Sequence, residues 1–466
     1  MTPLVTVGLL LQAVLSADPA GAQTPGTPQA AGQLSGVQPV LGQQLGVTPV
    51  GTPEVDRQQA EVDAAQLSRP EPIQGLLGVF LQFRGGNPVD RGPGETPTDL
   101  EISPVVGVRM PWLGRGLTLR YEPRIFIAPG PVEKHVAYLH RAFLGMDIEP
   151  SGRLRLYATV RGALGEYDFS PLSTVVPNNG ATGQPPNPNG TGVGTLPSTI
   201  GVPDQRYVNV IDADGSLGFV YSVSQRLRWT LSGGYQVSGG KNRDDEAVLP
   251  RSHGPTATTG LRWDASPLDS VGPQLSGSYS EFTTGSKTAV ADLTAGWTRS
   301  WSTTLTSDLF AGVGFTWDRT APNTSGAQPV TRTWAPSVGF GIRKSTLRPV
   351  GGALISLAVV YTPQIDPLGN GVYQQVNGVV RGTVAPSEHV SFDLTVSGSD
   401  QVNGPQRDVR LEGRIGWFPV REVQLATGVR TAWLEGSTLL GPTGFGWQAF
   451  VSVSASTPDT GLGARR

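Results

Sequence analysis

In the stretch DVRLEGRIGWFPVREVQLATGVRTAW, apolar and polar side chains alternate almost one by one. On an extended chain this period of two puts Val409, Leu411, Ile415 and Trp417 on one face and Asp408, Arg410, Glu412 and Arg414 on the other. Past a tight turn at Pro419 and Val420 the code repeats. Val423, Leu425 and Val429 are set against Glu422, Gln424 and Arg430, with Trp433 at the far end. Such a hairpin has one face for lipid and one for water. The alternation recurs from Gly75 to Ala455 and predicts about eighteen strands, at 75–84, 99–110, 115–128, 135–148, 152–166, 206–221, 225–237, 255–264, 271–282, 287–300, 303–317, 330–344, 351–362, 371–384, 388–398, 406–418, 421–433 and 444–455.

The connectors alternate between tight and long. Pro111-Trp112-Leu113, Pro150-Ser151-Gly152, Ser224-Gln225, Pro267-Leu268-Asp269, Trp301-Ser302, Pro386-Ser387-Glu388 and Pro419-Val420 are the tight ones. The pattern predicts an all-β fold, a transmembrane antiparallel β-barrel of about sixteen to eighteen strands, closed because lipid cannot satisfy an unpaired sheet edge. Short turns mark the periplasmic side of an outer membrane, and an even strand number returns the chain to that side. The longest connector, from Asp168 to Gln205, falls on the opposite side and contains PNNGATGQPPNPNGTGVGTLP. It either shields the mouth from outside or folds inward, where its near-absence of charge would make it select by size.

Composition narrows the class further. Only 38% of residues are hydrophobic and 15% charged, with 62 Gly and 40 Pro, and past the N-terminal run no apolar stretch reaches the roughly twenty residues a membrane helix needs. That first run, MTPLVTVGLLLQAVLSADPAGAQ, reads as a signal peptide over residues 1–22, cleaved after Ala22, although it lacks a Lys or Arg near Met1. Residues 23–74 are rich in Gln, Pro and Gly and read as a disordered periplasmic segment. Within it Thr52, Pro53 and Glu54 have the form of a helix start, consistent with a short helix over 53–67 that would be a spacer or a docking or plug element. The barrel is expected over 75–455 and a C-terminal tail over 456–466. The chain has no cysteine, which removes disulfides, a lipid-anchored thioether and thiolate metal sites. A net charge of −2 with scattered basic residues gives no reason to expect nucleic acid.

Placing the polar half of each strand inward gives a candidate lumen lining. It consists of Arg120, Glu122 and Arg124; Arg153, Arg155 and Arg161; Arg226 and Arg228; Arg262 and Asp264; Asp292, Asp308, Arg343, Arg381 and Asp393; and Asp408, Arg410, Glu412 and Arg414. These charges either set a transverse field across a pore or pair across strands and hold the wall. On the apolar half, Trp229, Tyr235, Trp263, Tyr279, Trp297, Trp317, Trp334, Trp417, Trp433 and Trp447 read as interfacial anchors.

Catalytic chemistry finds little support. His135 and His140 lie five apart on one strand, so they face opposite sides and cannot share a metal, while His253 is expected in an outer loop and His389 at a periplasmic turn. Asp244, Asp245 and Glu246 in KNRDDEAVLP read as a solvated acidic tip, with a divalent-cation site as the alternative. No motif gathers a nucleophile, a base or paired carboxylates. The expectation is a non-enzyme with no metal and no cofactor.

From Gly75 to Ala455 the chain resembles Gram-negative outer-membrane barrels of the porin type. In length, Pro-rich leading segment, hairpin regularity and hydroxylated lining it is similar to the roughly eighteen-stranded barrels of exopolysaccharide secretion in myxobacteria. It departs from such barrels after GFGWQAFVSVSA, where STPDTGLGARR follows in place of a terminal aromatic, so Phe450 takes that part or the tail is an addition. The resemblance implies the outer membrane as location and lipid and lipopolysaccharide as surroundings. It also implies barrel-insertion machinery and a periplasmic polysaccharide-export protein as partners. Wide lumen and hydroxyl-rich lining together point to a channel for polar solutes, foremost polysaccharide or oligosaccharide, in export or diffusion. The reading from another class is a filled, non-conducting barrel that serves as an assembly scaffold.

Overall fold

The computed structural model describes residues 73–87, 98–110, 116–129, 134–168, 207–320, 329–346, 352–366, 371–387, 389–402, 407–420, 423–435, 444–456 and 460–462. The expected leader, the segment before Ile73 with its short helix, the connector after Asp168 and most of the tail lie outside these residues.

Alternation becomes strand almost everywhere it was read. The ring runs β1 (Ile73–Asn87), β2 (Thr98–Met110), β3 (Gly116–Pro129), β4 (Lys134–Ser151), β5 (Leu154–Asp168), β6 (Tyr207–Ser222), β7 (Leu227–Gly240), β8 (Ser252–Asp264) and β9 (Asp269–Phe282). It continues through β10 (Lys287–Ser302), β11 (Leu305–Arg319), β12 (Val330–Ser345), β13 (Gly352–Ile365), β14 (Val372–Ser387), β15 (Val390–Gln401), β16 (Arg407–Val420), β17 (Val423–Glu435) and β18 (Gly444–Ser456). Each strand pairs antiparallel with the next, and β18 closes on β1 from Gly78↔Ser456 to Asn87↔Trp447. Closure leaves no outermost strand, as an all-β wall in lipid requires. All eighteen predicted strands have a counterpart, with ends shifted by a few residues. Beyond β18, where only a tail was expected, β19 (Thr460–Leu462) adds three residues of pairing against the start of β1.

The two faces differ sharply. Leu217, Trp334 and Phe445 are 70%, 68% and 62% exposed on one, whereas Arg84, Asp99 and Glu101 are 1%, 2% and 0% exposed on the other. Proline marks the irregular points of the wall because it has no N–H to donate. Pairing lapses beside Pro104 and Pro123, beside Pro255 and beside Pro273, and in each place resumes within a few residues. Between β12 and β13 it does not resume among the described residues. The ladder ends at Val338↔Tyr361, although β12 stays paired to β11 as far as Val330.

Some close approaches require glycine. Gly165, opposite Leu139, has φ +133°, and a Cβ there would overlap the Tyr138 carbonyl oxygen. Around Gly382 a Cβ would meet nothing within 4 Å. Gly165→Ala is therefore expected to lower the yield of folded, heat-modifiable barrel while Gly382→Ala leaves it unchanged. Equal yields from the two variants would contradict this packing.

Candidate functional site

Strand register decides which charges on the polar face meet. Glu122 on β3 lies directly opposite Arg141 on β4, and Arg120 and Arg124 flank it two residues away on the same face. All three guanidinium groups reach its carboxylate, Arg120 at 2.7 Å, Arg141 at 3.2 Å and Arg124 at 3.4 Å. Arg124 also approaches Glu101 at 3.6 Å, and Arg84 approaches Asp99 at 3.7 Å. Further along, Arg155 holds both oxygens of Asp147 at 2.9 and 2.6 Å, and Arg161 faces Asp214 across β5 and β6 at 3.0 Å.

A second group lies on β15 to β18. Arg430 is opposite Glu412, 2.9 Å from it, with its guanidinium 4.3 Å from the Phe450 ring centroid. Arg410 binds Asp408 at 3.1 Å, and the Ser399 hydroxyl donates to Asp408. Arg228 and Arg262 share Asp264 at 3.5 and 3.2 Å, Thr298 donates to Asp308 at 2.7 Å, and Thr383 donates to Asp393 at 2.8 Å. Arg343 is half-buried opposite Ser356, Arg381 is half-buried opposite Thr395, and Arg414 is half-buried opposite Asp393. Two of the sequence-derived residues lie elsewhere. Arg153 and Arg226 are exposed in tight turns, off the strands.

Sequence reading had left out Arg84, Asp99, Glu101, Arg141, Asp147 and Asp214, which complete these pairs. They sit on the same alternating half as their partners, so extending the period-two assignment through β1, β2, β4 and β6 would have included them. The aromatic residues behave more uniformly. Trp229, Tyr235, Trp263, Trp334, Trp417, Trp433 and Trp447 are exposed on the apolar face, and Tyr279, Trp297 and Trp317 are half-buried.

The connector between β7 and β8 departs from the expected solvated tip. Asn242 caps a short helix, α1 (Arg243–Val248), by accepting from the backbone N–H groups of Asp244 and Asp245. Asp245 is buried and accepts from the backbone N–H of Asn209 on β6 at 3.2 Å. Glu246 binds Arg251 at 2.6 Å. Leu249 then packs among Phe126, Ala137, Leu139, Val208 and Val210. Those five share the alternating half that carries the ion pairs of β3, β4 and β6, so this connector is folded onto the polar face. Leu249→Ala removes that anchor, at a cost of about 2 to 5 kcal/mol to the docked connector. It is expected to increase proteolytic cutting near α1 without unfolding the barrel. Unchanged cutting would contradict the docking.

Three histidines are engaged individually. Tyr121 Oη lies 2.7 Å from His140 Nδ1 and Tyr235 Oη 2.8 Å from His253 Nδ1 on the apolar face, which places His253 on β8 and not in a loop. His389 Nδ1 is 2.7 Å from the Phe418 carbonyl oxygen at a turn. His135 belongs to β4.

Residues 90–462 match the EpsX exopolysaccharide export family. No curated protein matches the chain. Among solved structures, OpdO from Pseudomonas aeruginosa is similar at 9% identity over 83% of this chain and 97% of that one, with a TM-score of 0.39. OpdK from the same organism gives 9% identity over 83% and 98%, with a TM-score of 0.40. The siderophore receptor PiuA from Acinetobacter baumannii gives 7% identity over 82% of each chain, with a TM-score of 0.39. Scores in this range carry no further argument.

Proposed function

The chain belongs to the EpsX exopolysaccharide export family, and from that premise we propose that its barrel is an outer-membrane channel through which exopolysaccharide leaves the cell. The observation that carries the proposal is the polar concave face of a closed eighteen-stranded ring. Its concavity follows from geometry. The end of β13 meets the polar side of β10, past β12 and β11, and such a chord is open only inside a ring. A ring of this strand number encloses a water-filled space unless something fills it, and an apolar outer face with exposed aromatic rings matches lipid.

The lining fits a hydroxyl-rich polymer. From β7 to β10 the concave face carries Ser232, Gln236, Ser238, Thr258, Ser276 and Ser278 beside the charged Arg228, Arg262, Asp264 and Asp292. Across the face the arginines are largely matched by carboxylates, so the wall offers many hydrogen bonds and little net field. That suits a neutral or weakly charged saccharide chain, which exchanges hydroxyl contacts with low commitment to any one position. We read the barrel as a passage and not a catalyst, set in lipid and lipopolysaccharide, placed by barrel-insertion machinery and fed by a periplasmic export protein. Arg153 and Arg226 are turn residues outside the lining; the rest of the charged set forms it. In a producing cell, loss of this chain is expected to strip polysaccharide from the surface and leave it in the periplasm. Intact surface polysaccharide would contradict the proposal.

A further inference from the structure

The break between β12 and β13 has a physical cause and a consequence. Continuing their register outward from Val338↔Tyr361 would set Ser337 against Thr362, Pro336 against Pro363, Ala335 against Gln364 and Trp334 against Ile365. Neither proline can donate, so the ladder stops where the two would face each other. From there β13 leaves the wall, still paired to β14 from Thr362↔Gln375 to Ile365↔Val372, and the end of β14 follows past Gln374, where its bonding to β15 stops among the described residues. They lean onto the concave face of β9 to β11. Ile365 and Val372 pack with Phe282 and Val290, and Pro363 lies over Gly314, where its Cγ is 2.8 Å from the position a Cβ would take. On that side β12 keeps no strand partner from Val330 to Ser337 among the described residues.

This position carries two mismatches. Thr362, Pro363, Gln364 and Ile365 alternate polar and apolar in the phase of the wall, so that in the extended register Thr362 and Gln364 would face the lumen and Pro363 and Ile365 the lipid. Folded inward, Ile365 meets Phe282 and Val290 in place of lipid, so the apolar half is matched there and the mismatches lie elsewhere. Beneath it Asp292 is 5% exposed and its Oδ1 has no hydrogen-bond partner, while the edge of β12 from Val330 to Ser337 has no ladder among the described residues to take up its backbone groups. The alternative position repairs both mismatches but forces Pro336 against Pro363. Each arrangement thus carries a defect that the other lacks.

We propose that the end of the β13–β14 hairpin is a hinged arm with two positions, one across the lumen and one in the wall beside β12, and that its position sets the width of the passage. The consequence for transport rests on the channel reading; the two positions do not. The chain has no cysteine, so introduced pairs report cleanly. Val290→Cys with Ile365→Cys captures the inward position, and Ala335→Cys with Gln364→Cys, three residues past the last pair, captures the in-wall one, where directly opposed residues have disulfide-compatible spacing. Free thiols are counted after oxidation of folded, heat-modifiable barrel in outer membranes. Both pairs are expected to close. Gly314→Ala, whose Cβ would crowd both the Asp292 carboxylate and Pro363, is expected to raise the yield of the in-wall disulfide, and Asp292→Asn, which removes the buried charge, to lower it. An in-wall pair that keeps both thiols free, with and without Gly314→Ala, would overturn the arm. In bilayers the inward disulfide is expected to reduce conductance, and reductant to restore it. Disulfides that form in both pairs without any current in any state would leave the arm standing and remove the channel.

Discussion

Leu411→Arg is expected to block assembly of the barrel, while Arg410→Leu leaves it folded. The two residues are adjacent on β16 and point to opposite faces. Leu411 is 40% exposed on the apolar side, whereas Arg410 is half-buried against Asp408 on the polar side. Arginine at mid-height on a lipid face costs about 2 to 4 kcal/mol in such barrels, and lumen substitutions cost far less. The readout is the folded fraction by heat-modifiable migration after refolding into vesicles. Equal effects from the two variants would mean that the faces are assigned the wrong way round.

Glu122→Leu is expected to destabilise the barrel by about 3 kcal/mol, at the lower end of what breaking a buried ion pair costs because Arg120 and Arg141 retain some solvent contact. One carboxylate there serves three guanidinium groups, and its loss leaves them repelling one another. Glu122→Leu combined with Arg141→Leu is expected to recover much of the loss, since apolar groups of similar size often replace a buried pair at little cost. The single variant should also shift ion preference toward anions, a change that a purely structural defect would not produce. Unfolding of both variants in urea, as vesicle-embedded protein, measures the first effect, and reversal potential measures the second. A single variant as stable as the parent would show that Glu122 does not hold this part of the wall together.

The strands were legible because a period of two survives local irregularity, and each segment repeats it for ten or more residues. Pairings were not, because they depend on register. Nothing in the chain states that Glu122 meets Arg141, nineteen residues away, until β3 and β4 are aligned. Arg153 and Arg226 were assigned to strands because the alternation continues into tight turns, where side chains no longer alternate between faces. α1 is six residues long, too short for helical periodicity to register, and burial of Asp245 depends on Asn209, thirty-six residues earlier. Pro336 and Pro363 are plain in the sequence, yet only the register reveals that they oppose each other across a seam. The long connector after Asp168, read either as a shield over the mouth or as an inward fold, lies outside the described residues; among those residues, the connector with α1 and the end of β13 lie on the concave face.

Single-channel recording of the refolded barrel in a planar bilayer tests the channel most directly. The account predicts steady ionic current with weak ion selectivity, interrupted by reversible blocks when neutral oligosaccharide is added. A correctly folded, heat-modifiable barrel that passes no current and shows no response to saccharide would contradict it.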